Sequence, residues 1–199
     1  MYLQQGGVVA FPTDTFYGLA ADTLCVSGIA RVFRIKGRWE RMALPVLLSD
    51  ARELSGVAID IPDVAWRLAE RFWPGALTLV LKRASAVPEI VSGGKDTVGV
   101  RVPDDPVARE LIRRLGRPLT GTSANPTGTP AARTADEVRA LLGAKVDFVI
   151  DGGARPGGQP STVLDLTGAV PSILRSGKIA IEELSPYLKP RLETGVTAG

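Results

Sequence analysis

The sequence predicts a single α/β domain, and three observations carry that prediction. Short apolar runs rich in β-branched residues, at 8–11, 45–48, 77–81 and 146–150, have the length of buried strands. Segments with helical spacing lie between them, each bounded by a start or stop signal. Polar turns follow directly at several strand ends, where open α/β sheets bind their ligands. No internal repeat, low-complexity tract or interior linker divides the 199 residues, a length that one domain accommodates.

The first strand, 8–11, is continuously apolar, as expected of a central strand covered on both faces. Pro12 has no N–H to donate and ends its ladder. Thr13, Asp14 and Thr15 then place three oxygen-bearing side chains in a turn, followed by Tyr17 and Gly18. This turn reads either as a ligand-binding strand end or as a loop whose side chains bond to their own backbone. Ser27 is placed to cap a helix carrying Ile29, Val32 and Phe33 on one face, and Gly37 to close it in a left-handed turn. Lys36 on the last turn and Arg38 just beyond suit the helix dipole, so stability alone accounts for both unless they meet a ligand.

Residues 45–48 read as a second strand. Residues 62–72 read as a helix with Pro62 in its first turn and Val64, Ala65, Leu68, Ala69 and Phe72 facing the core. Trp73-Pro74-Gly75 breaks it before a strand over 77–81. From 97 to 103 the chain alternates with period two: Val98, Val100 and Val102 share one face, Thr97, Gly99 and Arg101 the other. An arginine on such a strand requires an anion or a carboxylate partner, unless that face is simply solvated. Asp104, Asp105 and Pro106 open a helix that Gly116 closes, with Arg113 and Arg114 near its end.

A short strand over 118–122 runs into Ser123-Ala124-Asn125-Pro126, a second polar turn at a strand end. Thr134-Ala135-Asp136-Glu137 is a capping box opening a helix that stops at Gly143. The strand over 146–150 leads to the loop 151–160. Its four glycines and two prolines suit either a backbone close to a ligand or a mobile surface loop. Strands over 161–166 and 170–174, a helix over 181–188 and a frayed, disordered tail from 190 complete the reading.

Composition narrows the chemistry. The chain has no histidine, which removes Ser-His-Asp, Cys-His and His-ligated metal sites. It also lacks G-x-x-x-x-G-K-[ST], so a nucleotide would not be held by a P-loop. A formal charge of +3 and a pI near 9.2 suit an anionic ligand, phosphate or RNA, and weigh lightly. The single cysteine, Cys25, excludes an internal disulfide and is compatible with a cytoplasmic location. No apolar run approaches ~18 residues, so no membrane span is expected, and residues 1–6 lack the features of a signal peptide. The strand and helix ends deliver hydroxyls and amides together with fixed cations. That combination suits carboxylate and polyphosphate, by positioning and charge stabilisation with little need for a strong base.

Five blocks in order carry a family resemblance: Pro12-Thr13-Asp14-Thr15-Phe16-Tyr17-Gly18-Leu19, Lys36-Gly37-Arg38, Ser123-Ala124-Asn125, Ser161-Thr162-Val163-Leu164-Asp165 and Leu174-Arg175-Ser176-Gly177. Together they resemble the YrdC-like family of threonylcarbamoyl-AMP synthases. The resemblance implies a single-domain YrdC-like fold over 1–189, a twisted mixed open sheet flanked by helices with a concave basic ligand cleft. It implies an enzyme joining L-threonine, bicarbonate and ATP into threonylcarbamoyl-AMP with release of pyrophosphate. Mg2+ would come with ATP, with no direct protein ligand. A downstream threonylcarbamoyl-transferase complex and tRNA are the implied partners. By matching position, Thr15, Arg101, Ser123 and Ser161 would face threonine. Arg38, Thr97, Asn125, Arg133 and Arg175 would contact ATP, and Lys36, with Arg38, would be catalytic. The alternatives are a YciO-like paralogue with another carbamoyl-type substrate, or a non-enzymatic RNA-binding module. One departure stands out. Met42-Ala43-Leu44 occupies the place where the family commonly has a lysine or asparagine and a proline, leaving Arg41 as the neighbouring cation.

Overall fold

The hairpin that opens the domain is β1 (Val9–Pro12) paired antiparallel with β2 (Tyr17–Ala20), from Val9 opposite Ala20 to Pro12 opposite Tyr17. The computed structural model describes residues 2–37 and 42–188. Arg38, Arg41 and the expected tail from 190 lie outside them. Along the chain follow α1 (Val26–Lys36), β3 (Val46–Leu47), β4 (Ala58–Ile59), α2 (Asp63–Phe72), β5 (Leu77–Arg83), α3 (Glu89–Ser92), β6 (Thr97–Arg101) and α4 (Pro106–Leu115). The remainder is β7 (Leu119–Thr120), β8 (Thr122–Ser123), α5 (Ala135–Leu142), β9 (Phe148–Val149), β10 (Thr162–Asp165), β11 (Ser172–Arg175) and α6 (Ile181–Leu188).

The expected α/β class and mixed pairing hold, but the strands form two sheets where one was expected. The smaller has the order β8-β2-β1-β9, and the larger β11-β10-β5-β6-β3-β7 with β4 beside β5. The reason lies in the strand expected over 118–122. It is cut at Gly121 into β7, which joins the large sheet, and β8, which joins the small one. A Cβ at Gly121 would stand 2.7 Å from the Leu47 side chain, so only glycine lets the chain change sheets there. The seam is stitched by the bridge between Asp22 and Leu119, by Thr120 N–H donating to the Ala21 carbonyl (2.9 Å), and by Ala21 N–H donating to Thr120 Oγ1 (3.0 Å).

The helices follow their caps, with two differences. Gly37 and Gly116 close α1 and α4 in left-handed conformation, at φ 60° and 71°. Asp105 caps α4 by accepting from Val107 and Ala108 N–H, which leaves its second oxygen for another partner. Ser27 does not cap α1: the helix starts one residue earlier, Cys25 holds the cap position, and no side chain bonds there. The capping box is half made. Thr134 Oγ1 accepts from Glu137 N–H, but the Glu137 carboxylate accepts from Arg133 N–H, one residue before the cap. The main core lies between the sheets and α1, α2 and α5, with Val98, Val100 and Val102 in it as the alternation requires. Among the described residues no helix is long and apolar enough to cross a membrane.

Candidate active site

Because Val98, Val100 and Val102 point into the core, Arg101 is turned to the opposite face of the large sheet. Leu77, Leu79 and Leu81 fix β5 in the same way and put Thr78 on that face. The ladder pairs Leu79 with Val100, so Thr78 lies beside Arg101. On its other side Thr78 pairs with Val163, and Val163 pairs with Arg175. Ser161 precedes β10 on the same face as Val163. Four strands therefore carry one transverse polar row: Arg101, Thr78, Ser161, Arg175.

Above the row hangs the hairpin turn of the small sheet. A cleft of about 280 Å³ separates the two, lined by the row and by Thr13, Thr15 and Phe16 of the turn, with Ser123 at one side. The turn bonds to its own backbone, as one of the two sequence readings has it, and it also lines the cleft. Thr13 Oγ1 donates to the Phe16 carbonyl (2.7 Å) and lies 3.2 Å from Thr15 Oγ1, so the turn is bonded to itself while it forms a wall.

The partner that Arg101 requires is Asp14. Arg101 is buried; its Nε donates to the Gly75 carbonyl (2.8 Å) and its Nη2 to Asp14 Oδ1. Asp14 Oδ1 also accepts from Asp104 N–H (3.2 Å). Two sides of the guanidinium are thus held, and among the described residues Nη1 has no hydrogen bond. Burial pushes Arg101 below the ordinary arginine value, against the opposing charge of Asp14. Arg175 repeats the arrangement without a carboxylate. Its Nε and Nη2 donate to the Ser161 carbonyl (3.1 and 2.8 Å) and Nη2 also to Ser161 Oγ (2.9 Å). Its value is lowered by burial and then by the charge of Arg101. Two guanidinium groups thus face one cleft, a placement whose mutual repulsion an anion between them would relieve.

The other expected residues take varied places. Lys36 is 1% exposed, and its Nζ donates to the Ser123 carbonyl (2.6 Å), Ser123 Oγ (3.2 Å) and Asn125 Oδ1 (2.9 Å). Lys36 is absent from the cleft wall and meets it through Ser123. Asn125 turns its amide nitrogen to the Pro126 and Thr129 carbonyls, so its contacts lie within its own turn and with Lys36. Arg133 is exposed and does not line the cleft; its Nε donates to the Arg155 carbonyl (3.2 Å), beside Ala132, whose carbonyl accepts from Tyr17 N–H. Thr97 starts the strand that Arg101 ends, about 13 Å away at the strand's rise per residue, and does not line the cleft.

Sequence reasoning missed Thr78, Asp14 as the arginine's partner, and the anchoring of the glycine loop. That loop is tied to the turn. Tyr17 Oη donates to the Gly153 carbonyl (3.0 Å) and accepts from Gly152 N–H (3.1 Å), while Gly157 N–H donates to the Thr15 carbonyl (2.8 Å). Arg155 adds an ion pair of 2.7 Å to the free oxygen of Asp105. A carboxylate close behind a histidine-free strand end was the available signal for Asp14. Thr78 gave none, because threonine inside an apolar strand looks like valine.

Fold and cleft together define an α/β domain that presents paired arginines and hydroxyls to one cleft. The Sua5_yciO_yrdC family, described as "Telomere recombination", matches residues 1–177, and the chain belongs to that family. It is 41% identical over 187 residues to the threonylcarbamoyl-AMP synthase of Pyrococcus abyssi (strain GE5 / Orsay), covering 94% of this chain and 55% of that one. The crystal structure of P. abyssi Sua5 complexed with L-threonine superposes with a TM-score of 0.91 at 40% identity, over 94% of this chain and 55% of that one. E. coli YciO superposes with a TM-score of 0.82 at 31% identity, over 92% and 88%. The chain thus spans about half the length of the Pyrococcus relative it matches.

Proposed function

We propose that this domain is an L-threonylcarbamoyladenylate synthase, a nucleotidyltransferase acting in the cytoplasm ahead of the threonylcarbamoyl-transferase complex that modifies tRNA. The observation that carries the reading is the polar row, in which two guanidinium groups line one cleft and, among the described residues, each leaves Nη1 unbonded. On this reading Arg101 takes the threonine carboxylate, which leaves the amine near Ser161, Thr15 and Ser123. Bicarbonate condenses with that amine, forming the carbamate C–N bond and losing water. A carbamate oxygen then attacks the α-phosphorus of ATP, and the bond to the departing pyrophosphate breaks. Arg175, Arg38 and Arg133 stabilise phosphate charge, and Thr97 and Asn125 complete the nucleotide's surroundings. Lys36 acts by holding the Ser123 turn at the junction of the two substrates.

The triphosphate would carry magnesium, which would supply charge neutralisation at the departing pyrophosphate. Among the described residues no three His, Cys, Asp or Glu side chains gather into a metal site. Asp14, beside the cleft, is already engaged by Arg101 and Asp104. Asp14 orients Arg101 and moves no proton in this scheme, which suits a chain without histidine. The crystal structure of the P. abyssi protein complexed with L-threonine supports the substrate. The test is pyrophosphate release with Mg2+, ATP, L-threonine and bicarbonate. Release should stop when threonine is omitted; equal release without it would reject the synthase reading.

A further inference from the structure

We infer that Thr78 is a specificity-determining residue, pairing its hydroxyl with Ser161 so that the cleft reads a hydroxyl on the amino-acid substrate. The inference rests on the synthase reading and deepens it. Thr78 is 2% exposed, lines the cleft, and has Ser161 Oγ as its hydrogen-bond partner at 2.9 Å. Its methyl lies toward Gly99, where a Cβ would stand 3.3 Å from Thr78 Cγ2, and its hydroxyl toward Ser161.

The arithmetic of protons follows. Ser161 Oγ accepts from Arg175 Nη2. The two hydroxyls share two protons, and the bond between them uses one. Whichever donates, one proton and free lone pairs remain for the cleft. The arginines at the ends of the row can only donate, so they match a carboxylate, which only accepts. The centre of the row can do both, which is what a substrate hydroxyl requires. Phe11, Ala43, Pro45 and Leu47 supply apolar wall for the methyl that such a side chain also carries. The selected class is therefore a small β-hydroxy amino acid.

The experiment is calorimetric titration of the chain with L-threonine and with L-2-aminobutyrate, which keeps the carboxylate, amine and methyl but lacks the hydroxyl. The unsubstituted chain should prefer threonine by about tenfold or more, since a neutral hydrogen bond is lost with the analogue. Thr78→Val keeps the strand's shape and should lower that preference to within about twofold, while 2-aminobutyrate binding stays as it was. Thr78→Ser should retain the preference. Thr78→Ala provides a second hydroxyl-free variant and should behave as Thr78→Val. An unchanged preference in Thr78→Val or Thr78→Ala overturns the inference and leaves the synthase reading standing. So does an equal loss of both amino acids, which would mark a structural role. Binding of neither amino acid by the unsubstituted chain overturns the synthase reading, and this inference with it.

Discussion

Removing Asp14 should separate the fold's requirements from those of the site. In Asp14→Ala the Arg101 guanidinium stays in place, with only a tenth of either side chain exposed in the native pair, and loses its counter-charge. Breaking a buried pair on one side costs about 3–5 kcal/mol, because the remaining charge is buried alone. The Asp104 N–H also loses its acceptor, but it is exposed enough for water to replace it. The expected loss is therefore about 3–4 kcal/mol, or roughly 6–16 °C in melting temperature for a domain of this size. The double variant Asp14→Ala/Arg101→Leu removes both charges and should recover most of that stability, since a buried pair replaced by apolar groups is often neutral. Threonine binding should fail in the double variant all the same. Urea unfolding gives the stabilities and calorimetry the binding. A loss below about 1 kcal/mol in Asp14→Ala would refute the reasoning, as would a double variant no more stable than the single one.

Other expectations follow from the same geometry. Gly121→Ala should cost about 1–3 kcal/mol by overpacking against Leu47, and Leu47→Ala in that background should recover part of it, both read by urea unfolding. Lys36→Ala should lower stability by at least about 2 kcal/mol, since three acceptors lose a charged donor; Arg38→Ala should lower turnover about tenfold and leave the melting temperature unchanged. Arg31 hydrogen-bonds Asp147 and holds its carboxyl below the ordinary value of 3.8. The folded value lies beneath the unfolded one, so this stabilisation is complete above 3.8 and disappears as pH falls through the folded value. Asp147→Asn should therefore lower the melting temperature at neutral pH and flatten its fall in acid.

Much of the fold was legible because burial leaves a period in the sequence. The valines of β6 announced their face, and Asp105 and Gly116 announced both ends of α4. Arg101 was legible as a residue needing a partner for the same reason. What the sequence hid was pairing at a distance. β2 looked like the polar continuation of a turn, because Tyr17 and Gly18 carry no strand signal until Tyr17 is seen fully buried with its hydroxyl in the glycine loop. The exchange of sheets at Gly121 depends on Leu47, far away in sequence, and local propensity carries no trace of it. The burial of Lys36 behind Ser123 was hidden as well, because a helix-terminal lysine is read as exposed until its surroundings are known.

The order of strands in the large sheet has a consequence for how the site comes into being. β10 lies between β5, to which it runs parallel, and β11, to which it runs antiparallel, so half of the polar row comes from chain that follows residue 160. A chain emerging during synthesis can pack α1, α2 and most of β5 and β6 while Ser161 and Arg175 are still unmade. Contacts of such long sequence separation form late and slowly. Ligand affinity is then a property of the finished domain alone, and substrate draws the equilibrium toward it only after the final strands have docked.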